Sequence, residues 1–199
     1  MASDDVVKDY LSDSIAMFRS YKKMVDNAII QVNDDELFAT IDEESNSIAI
    51  VMKHLAGNML SRWTDFLTTD GEKPTRNRDM EFVLESKNKG ELLDYWERGW
   101  RCVFDALEPL QLEDFEKTVT IRGEEHTIVK AINRQLSHYA YHIGQIVFLA
   151  KHFRSSEWKS LSIPKNKSAA FNQYLQQGKG AGQDRMDAAM TFAKDTDSQ

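Results

Sequence analysis

A single cysteine, Cys102, stands in 199 residues, so no internal disulfide and no cysteine-rich zinc cage is available. Proline and glycine are sparse, 3 and 9 residues, which leaves few interior breaks and favours helix. Basic groups are outnumbered, 25 against 32, and a field of that sign repels phosphate backbones, so no nucleic-acid partner is expected. No apolar run approaches the roughly 20 residues that cross a bilayer, which removes a membrane partner as well. The stretch Met1 to Asp9 is acidic and lacks the basic start and apolar run of a secretory signal; with the lone thiol, this suggests a cytoplasmic setting. At 41% hydrophobic and 29% charged, the composition excludes a disordered chain, and one helical domain is the economical expectation.

Periodicity supplies the elements. From about Asp5 to Val32, apolar residues recur at spacings of three, four or seven without internal Gly or Pro, which predicts a long amphipathic helix. A polar stretch, Asn33 to Asn46, precedes a second helix from Ile48 to near Leu67. Its apolar coverage is wide, as in a helix enclosed by several neighbours or sharing a face with a partner. Thr68 to Lys87 reads as a long connection, long enough for the second and third helices to run parallel with a crossover between them. Asn88 with Glu91 resembles a capping box for the third helix, which Pro109 ends. TVTIRGEEHTI, from Thr118, reads as two short extended pieces about Gly123, and a fourth helix runs from there through Phe153. The segment from Arg154 onward carries 7 basic and 5 acidic residues, so the acidic excess lies in the body and a tail of that sign can dock on it.

His138 and His142 lie four apart on the fourth helix, with β-carbons roughly 5 to 6 Å apart, and share the flank of its apolar stripe, facing a seam between helices. His54 lies at matching depth on the second helix, about 15 Å from its start against about 17 to 22 Å for the pair. Three neutral imidazoles leave a divalent ion its full charge and at least one open position, unlike the four-ligand closure usual in structural zinc sites. The plain alternative is a set of ordinary histidines, since such pairs are common without metal. Imidazole suits zinc or nickel, with iron or copper as further options.

Further residues resemble a known family together with these histidines: MKHLAGNMLSRW around His54, WERGW at Trp96 to Trp100, TIRGEEHT, RQLSHYAYHIGQIVFLAKH and SIPKNKSAAFN. Over most of the chain they resemble the DinB/YfiT-like superfamily, and look closest to a subfamily of unknown function. The resemblance implies an all-α fold: a four-helix bundle in up-down-down-up order over residues 1–175, with a flexible or partner-docked tail at 176–199. It also implies bacterial origin, a homodimer, and one divalent metal held by His54, His138 and His142. Relatives include S-transferases using bacillithiol or mycothiol, so the implied partners are a small-molecule thiol and an electrophile.

Water in the thiol's place would make the same site a hydrolase, and an ion that only fixes the bundle would make a non-catalytic, stress-associated dimer; the ligands alone do not choose. Asn58, Gln135, Gln145, Tyr139 and Tyr141 are candidates to orient the imidazoles. Arg62, Lys73, Arg76 and Arg78 are candidates to hold carboxylates of a ligand, or else pair with Asp70, Glu72, Asp79 and Glu81. Trp63, Trp96 and Trp100 read as core. Cys102 reads as a small buried hydrophobe. His126, at the start of the fourth helix, and His152, near its end, are left outside the metal set. GKGAG at Gly178 to Gly182 lacks phosphate-loop spacing and reads as linker.

Overall fold

A computed structural model describes residues 2–183 and 185–197; Met1 and positions 184, 198 and 199 of the expected bundle and tail lie outside them. The periodic first segment coils into α1 (Ala2–Ile29), which stops three residues before Val32. The polar stretch after it is not all loop. Asn33 accepts the Glu36 N–H at 2.9 Å while the Glu36 carboxylate accepts the Asn33 N–H at 2.8 Å, and this reciprocal cap starts a short helix, α2 (Asp34–Phe38), that buries Leu37 and Phe38.

Ser47 caps α3 (Ile48–Trp63), in which every residue except Ile50, Lys53 and Leu60 is buried. That enclosure explains its wide apolar coverage: α4, α5 and the connection all pack on it. α3 ends at Trp63, short of Leu67, and Asp65 takes a left-handed conformation just beyond. The long connection that follows contains one 310 turn, Asp79–Phe82. Asn88 then accepts the Glu91 N–H and opens α4 (Lys89–Leu107), two residues short of Pro109.

β1 (Thr118–Ile121) and β2 (Glu124–Thr127) form an antiparallel hairpin pairing Thr118 with Thr127 and Ile121 with Glu124. Its two turn residues, Arg122 and Gly123, have φ of 55° and 77°, the mirror-image turn that suits the right-handed twist of paired strands. His126 therefore sits in a strand, two residues before the helix, and not in its first turn. Thr127 caps α5 (Ile128–Arg154) by accepting the Lys130 N–H. Two further helices follow, α6 (Ser168–Gln176) and α7 (Arg185–Asp197). Phe171 of α6 meets Ala188, Ala189 and Phe192 of α7 in a small cluster of their own, and Lys23 of α1 pairs with Asp187 at 2.6 Å.

The fold is thus mostly helical with one small hairpin. In the core, Phe18 of α1 places its ring edge-on to Trp63, Trp100 and Tyr139, so one phenyl ties α1 to α3, α4 and α5. Trp63, Trp96 and Trp100 are buried, and truncating any one of them would cost about 3–5 kcal/mol. Contacts between helices recur in order. Tyr10 reaches Asn133 at 2.9 Å and Gln31 reaches Lys159 at 3.1 Å; Arg19 pairs with Glu108; Trp96 donates to Asp26 at 3.1 Å. Gly99 of α4 lies against Ala56, and Cys102 lies 3.4 Å from the Thr64 hydroxyl just past α3. Among the described residues no helix is long and apolar enough to cross a membrane.

Candidate metal centre

α3 contributes His54 and α5 contributes His138 and His142, and the structure brings all three together. One ring nitrogen from each lies within 4.8 Å of the others, the one group of three or more His, Cys, Asp or Glu so placed among the described residues. His54 is 3% exposed and the other two are half-buried. His54 Nε2 and His138 Nε2 are 3.3 Å apart. Two nitrogens bound tetrahedrally to one zinc at 2.0–2.1 Å would stand about 3.3 Å from each other, so this edge already has the span of a coordination shell. Three points no more than 4.8 Å apart share a centre within about 2.8 Å of each, so small ring rotations bring the third nitrogen into range.

Two of the outer nitrogens are held. The Glu81 carboxylate, an acceptor only, takes the His54 Nδ1–H at 2.8 Å, which leaves Nε2 with its lone pair facing His138. The Gln145 amide oxygen accepts from His142 Nδ1 at 2.8 Å and frees that Nε2 as well. A carboxylate or amide oxygen behind an imidazole is the usual second layer of a histidine metal site. The 3.3 Å approach of His54 Nε2 and His138 Nε2 is bridged by a proton if His138 carries it on Nε2, and with both lone pairs turned inward the same space could hold a cation.

Glu81 is itself buried. Burial alone raises a carboxyl's pKa, but the bond from His54 and the Arg76 ion pair outweigh it and hold Glu81 below the usual range. Its place depends on Gly57: a β-carbon there would stand 2.4 Å from Glu81 Oε1. Burial first, and then the neighbouring histidines and Arg62, push His138 down to about 3, and burial likewise lowers His142.

The other residues singled out from the sequence divide cleanly. Gln145 orients His142, while Tyr139 points into the core, accepting the Trp63 indole N–H at 3.0 Å and donating to Asn58 at 3.3 Å. Tyr141 is exposed and accepts from Gln145. Gln135 lines the cavity beside the trio and makes no hydrogen bond to a histidine among the described residues. Lys73 turns to the Asp70 carbonyl, and Arg76 pairs with Glu72 and Glu81. Cys102 is half-buried, with its thiol pushed up by burial. Glu81 as a histidine partner, and Arg122 and Arg134 as cavity-lining groups, were not among the expected site residues. Arg134 was legible, since it stands one turn before His138 on the same face. Arg122 was not, because only the tertiary clip of Asp70 onto the Arg122 and Gly123 N–H groups, both at 2.8 Å, carries the hairpin tip to the site.

The trio opens on a cavity of about 480 Å³, a size that suits a small molecule. A larger groove, about 750 Å³, lies between Lys53 and the start of α4, away from the histidines. The family described as "Protein of unknown function (DUF1572)" matches residues 5–167. The chain belongs to that family. The match spans α1 through α5 and so includes His54, His138, His142 and Glu81, and it stops just before α6. Comparison with curated proteins and with solved structures gives no match.

Proposed function

We propose that this protein is a divalent-metal-dependent enzyme of the DinB/YfiT-like class, in which His54, His138 and His142 hold zinc or nickel and a low-molecular-weight thiol is activated for transfer to an electrophile. The observation that carries the reading is the set of three converging imidazoles, two of them with their outer nitrogens fixed, open on one side to a cavity. A bound divalent ion supplies Lewis acidity, lowering the pKa of a coordinated thiol toward neutrality. The chain's own groups supply the rest. Glu81 and Gln145 keep the His54 and His142 rings turned inward, and burial disfavours protonation of His138 and His142.

The order of helix contacts supports the up-down-down-up bundle. Tyr10 with Asn133 and Gln31 with Lys159 run α1 alongside α5 in one direction. Arg19 with Glu108 and Asp26 with Trp96 set α1 against α4 in opposite directions. Ala56 with Gly99 and Thr64 with Cys102 rise together along α3 and α4. A connection as long as the one after Trp63 is what such a parallel pair needs.

The test is metal analysis of the purified protein followed by a thiol and electrophile screen. The expected result is about one ion per chain, an altered Co(II)- or Ni(II)-substituted spectrum on adding thiol, and consumption of thiol with the electrophile. His54→Ala should lose stoichiometric metal. Retention of one ion by that variant would overturn the ligand set, and metal without any thiol effect would leave a metal-binding protein of another kind.

A further inference from the structure

The cavity beside the histidines carries a charge unlike that of the whole protein. The chain has 32 acidic and 25 basic residues, yet Arg62, Arg76, Arg78, Arg122 and Arg134 all line this one cavity and no Asp or Glu does. Two carboxylates outside the lining reach three of the five guanidinium groups. Glu72 lies 3.0 Å from Arg62, 3.1 Å from Arg76 and 3.3 Å from Arg122, and Glu81 lies 2.8 Å from Arg76 while also holding His54. Arg78 and Arg134 have no carboxylate within ion-pair distance among the described residues; Arg78 rests 5.1 Å over the Phe82 ring.

Two buried polar atoms at the cavity lack partners. Arg62 is 5% exposed and its Nε–H has no acceptor among the described residues; Gln135 is 3% exposed and its Oε1 has no donor. An unmet buried guanidinium N–H is costly, and five like charges around one space repel each other unless something of opposite sign is present. Guanidinium groups present paired N–H donors that match the planar oxygens of carboxylates and the oxygens of phosphate. Three neutral imidazoles around a dipositive ion would add to the positive field and not offset it.

We propose that the cavity binds a small molecule bearing a carboxylate or phosphate group, with that group held by Arg122 and Arg134 against buried Arg62, and with its other end toward His54, His138 and His142. The position of the reacting end rests on the metal-site reading above; the anion subsite rests on the arginines alone. Charge recognition thereby selects the ligand and fixes its direction.

Calorimetric titration of metal-stripped protein at constant ionic strength, with succinate and with inorganic phosphate as separate probes, tests this. At least one probe should bind at one per chain. Arg122→Ala with Arg134→Ala should weaken it about tenfold or more, whereas Lys151→Ala, on the exposed face of α5, should not change it. Tighter succinate binding assigns the subsite to carboxylates, and tighter phosphate binding assigns it to phosphates. Absence of saturable binding by both probes, or binding by the double variant equal to that of the parent, overturns the proposal. Because these titrations contain no metal, anion binding by a protein that fails to take up an ion would sink the metal reading and leave the subsite intact.

Discussion

Glu81 occupies the space that a side chain at Gly57 would fill: a β-carbon at 57 would meet the Glu81 carboxylate carbon at 2.8 Å and its Oε1 at 2.4 Å. A glycine in the middle of a buried helix costs roughly 1 kcal/mol against alanine, and here it lets a carboxylate lie close enough to α3 to take the His54 N–H.

Gly57→Ala should therefore separate stability from metal binding. The helix gains propensity while Glu81, held by Arg76 and His54, is forced off its seat. Metal affinity in a chelator competition should fall about 10- to 100-fold, as for loss of other outer partners of metal-bound histidines. The melting temperature of the metal-free protein should fall by little or rise. An unchanged affinity would show that Glu81 does not orient His54.

Tyr139→Phe removes one hydroxyl from the dry interior. It strands the Trp63 indole N–H and the Asn58 Oδ1, both buried, and should cost about 1–3 kcal/mol in chemical denaturation. Metal stoichiometry should be kept, because no ring nitrogen of the trio bonds to this hydroxyl.

His126 sets a pH dependence. It is 3% exposed, and neither ring nitrogen has a hydrogen-bond partner among the described residues. Burial first, then the charges of Lys130 and Arg134, hold its pKa below 6.5. The folded protein thus keeps the ring neutral while the unfolded chain takes up a proton near 6.5. The stability from His126 is full above that value and declines as pH falls through it toward the lower folded pKa, by at most about 1.4 kcal/mol per pH unit. His126→Leu should flatten the fall in denaturation midpoint between about pH 7 and pH 5. Parallel curves for parent and variant would mean that the native ring protonates as readily as the unfolded one.

What could be read in the residues before any coordinates follows the range of the interactions involved. Helical spacing placed α1, α3, α4 and α5, because amphipathic period is a local property, and Asn88, Thr118 to Thr127 and Pro109 marked boundaries by local chemistry. The cap of α2 was equally local, in Asn33 and Glu36, but its short apolar pair, Leu37 and Phe38, gave no period to count. His138 and His142 declared themselves by spacing, and His54 by depth. Glu81 did not, since its role comes from a 310 turn laid across α3, 27 residues from His54. α6 and α7 escaped because their apolar faces meet mainly each other, around Phe171 and Phe192.

Asp70 accepts the backbone N–H groups of Glu72, Arg122 and Gly123, and Gly71 donates to the Thr120 carbonyl at 2.7 Å. Two stretches about fifty residues apart are welded at this seam, one leading from α3 and the other into α5. The wall they make should breathe as a single panel, so that deuterium uptake at Gly71, Arg122 and Gly123 rises and falls in step, and severing the joint with Asp70→Ala loosens both stretches at once.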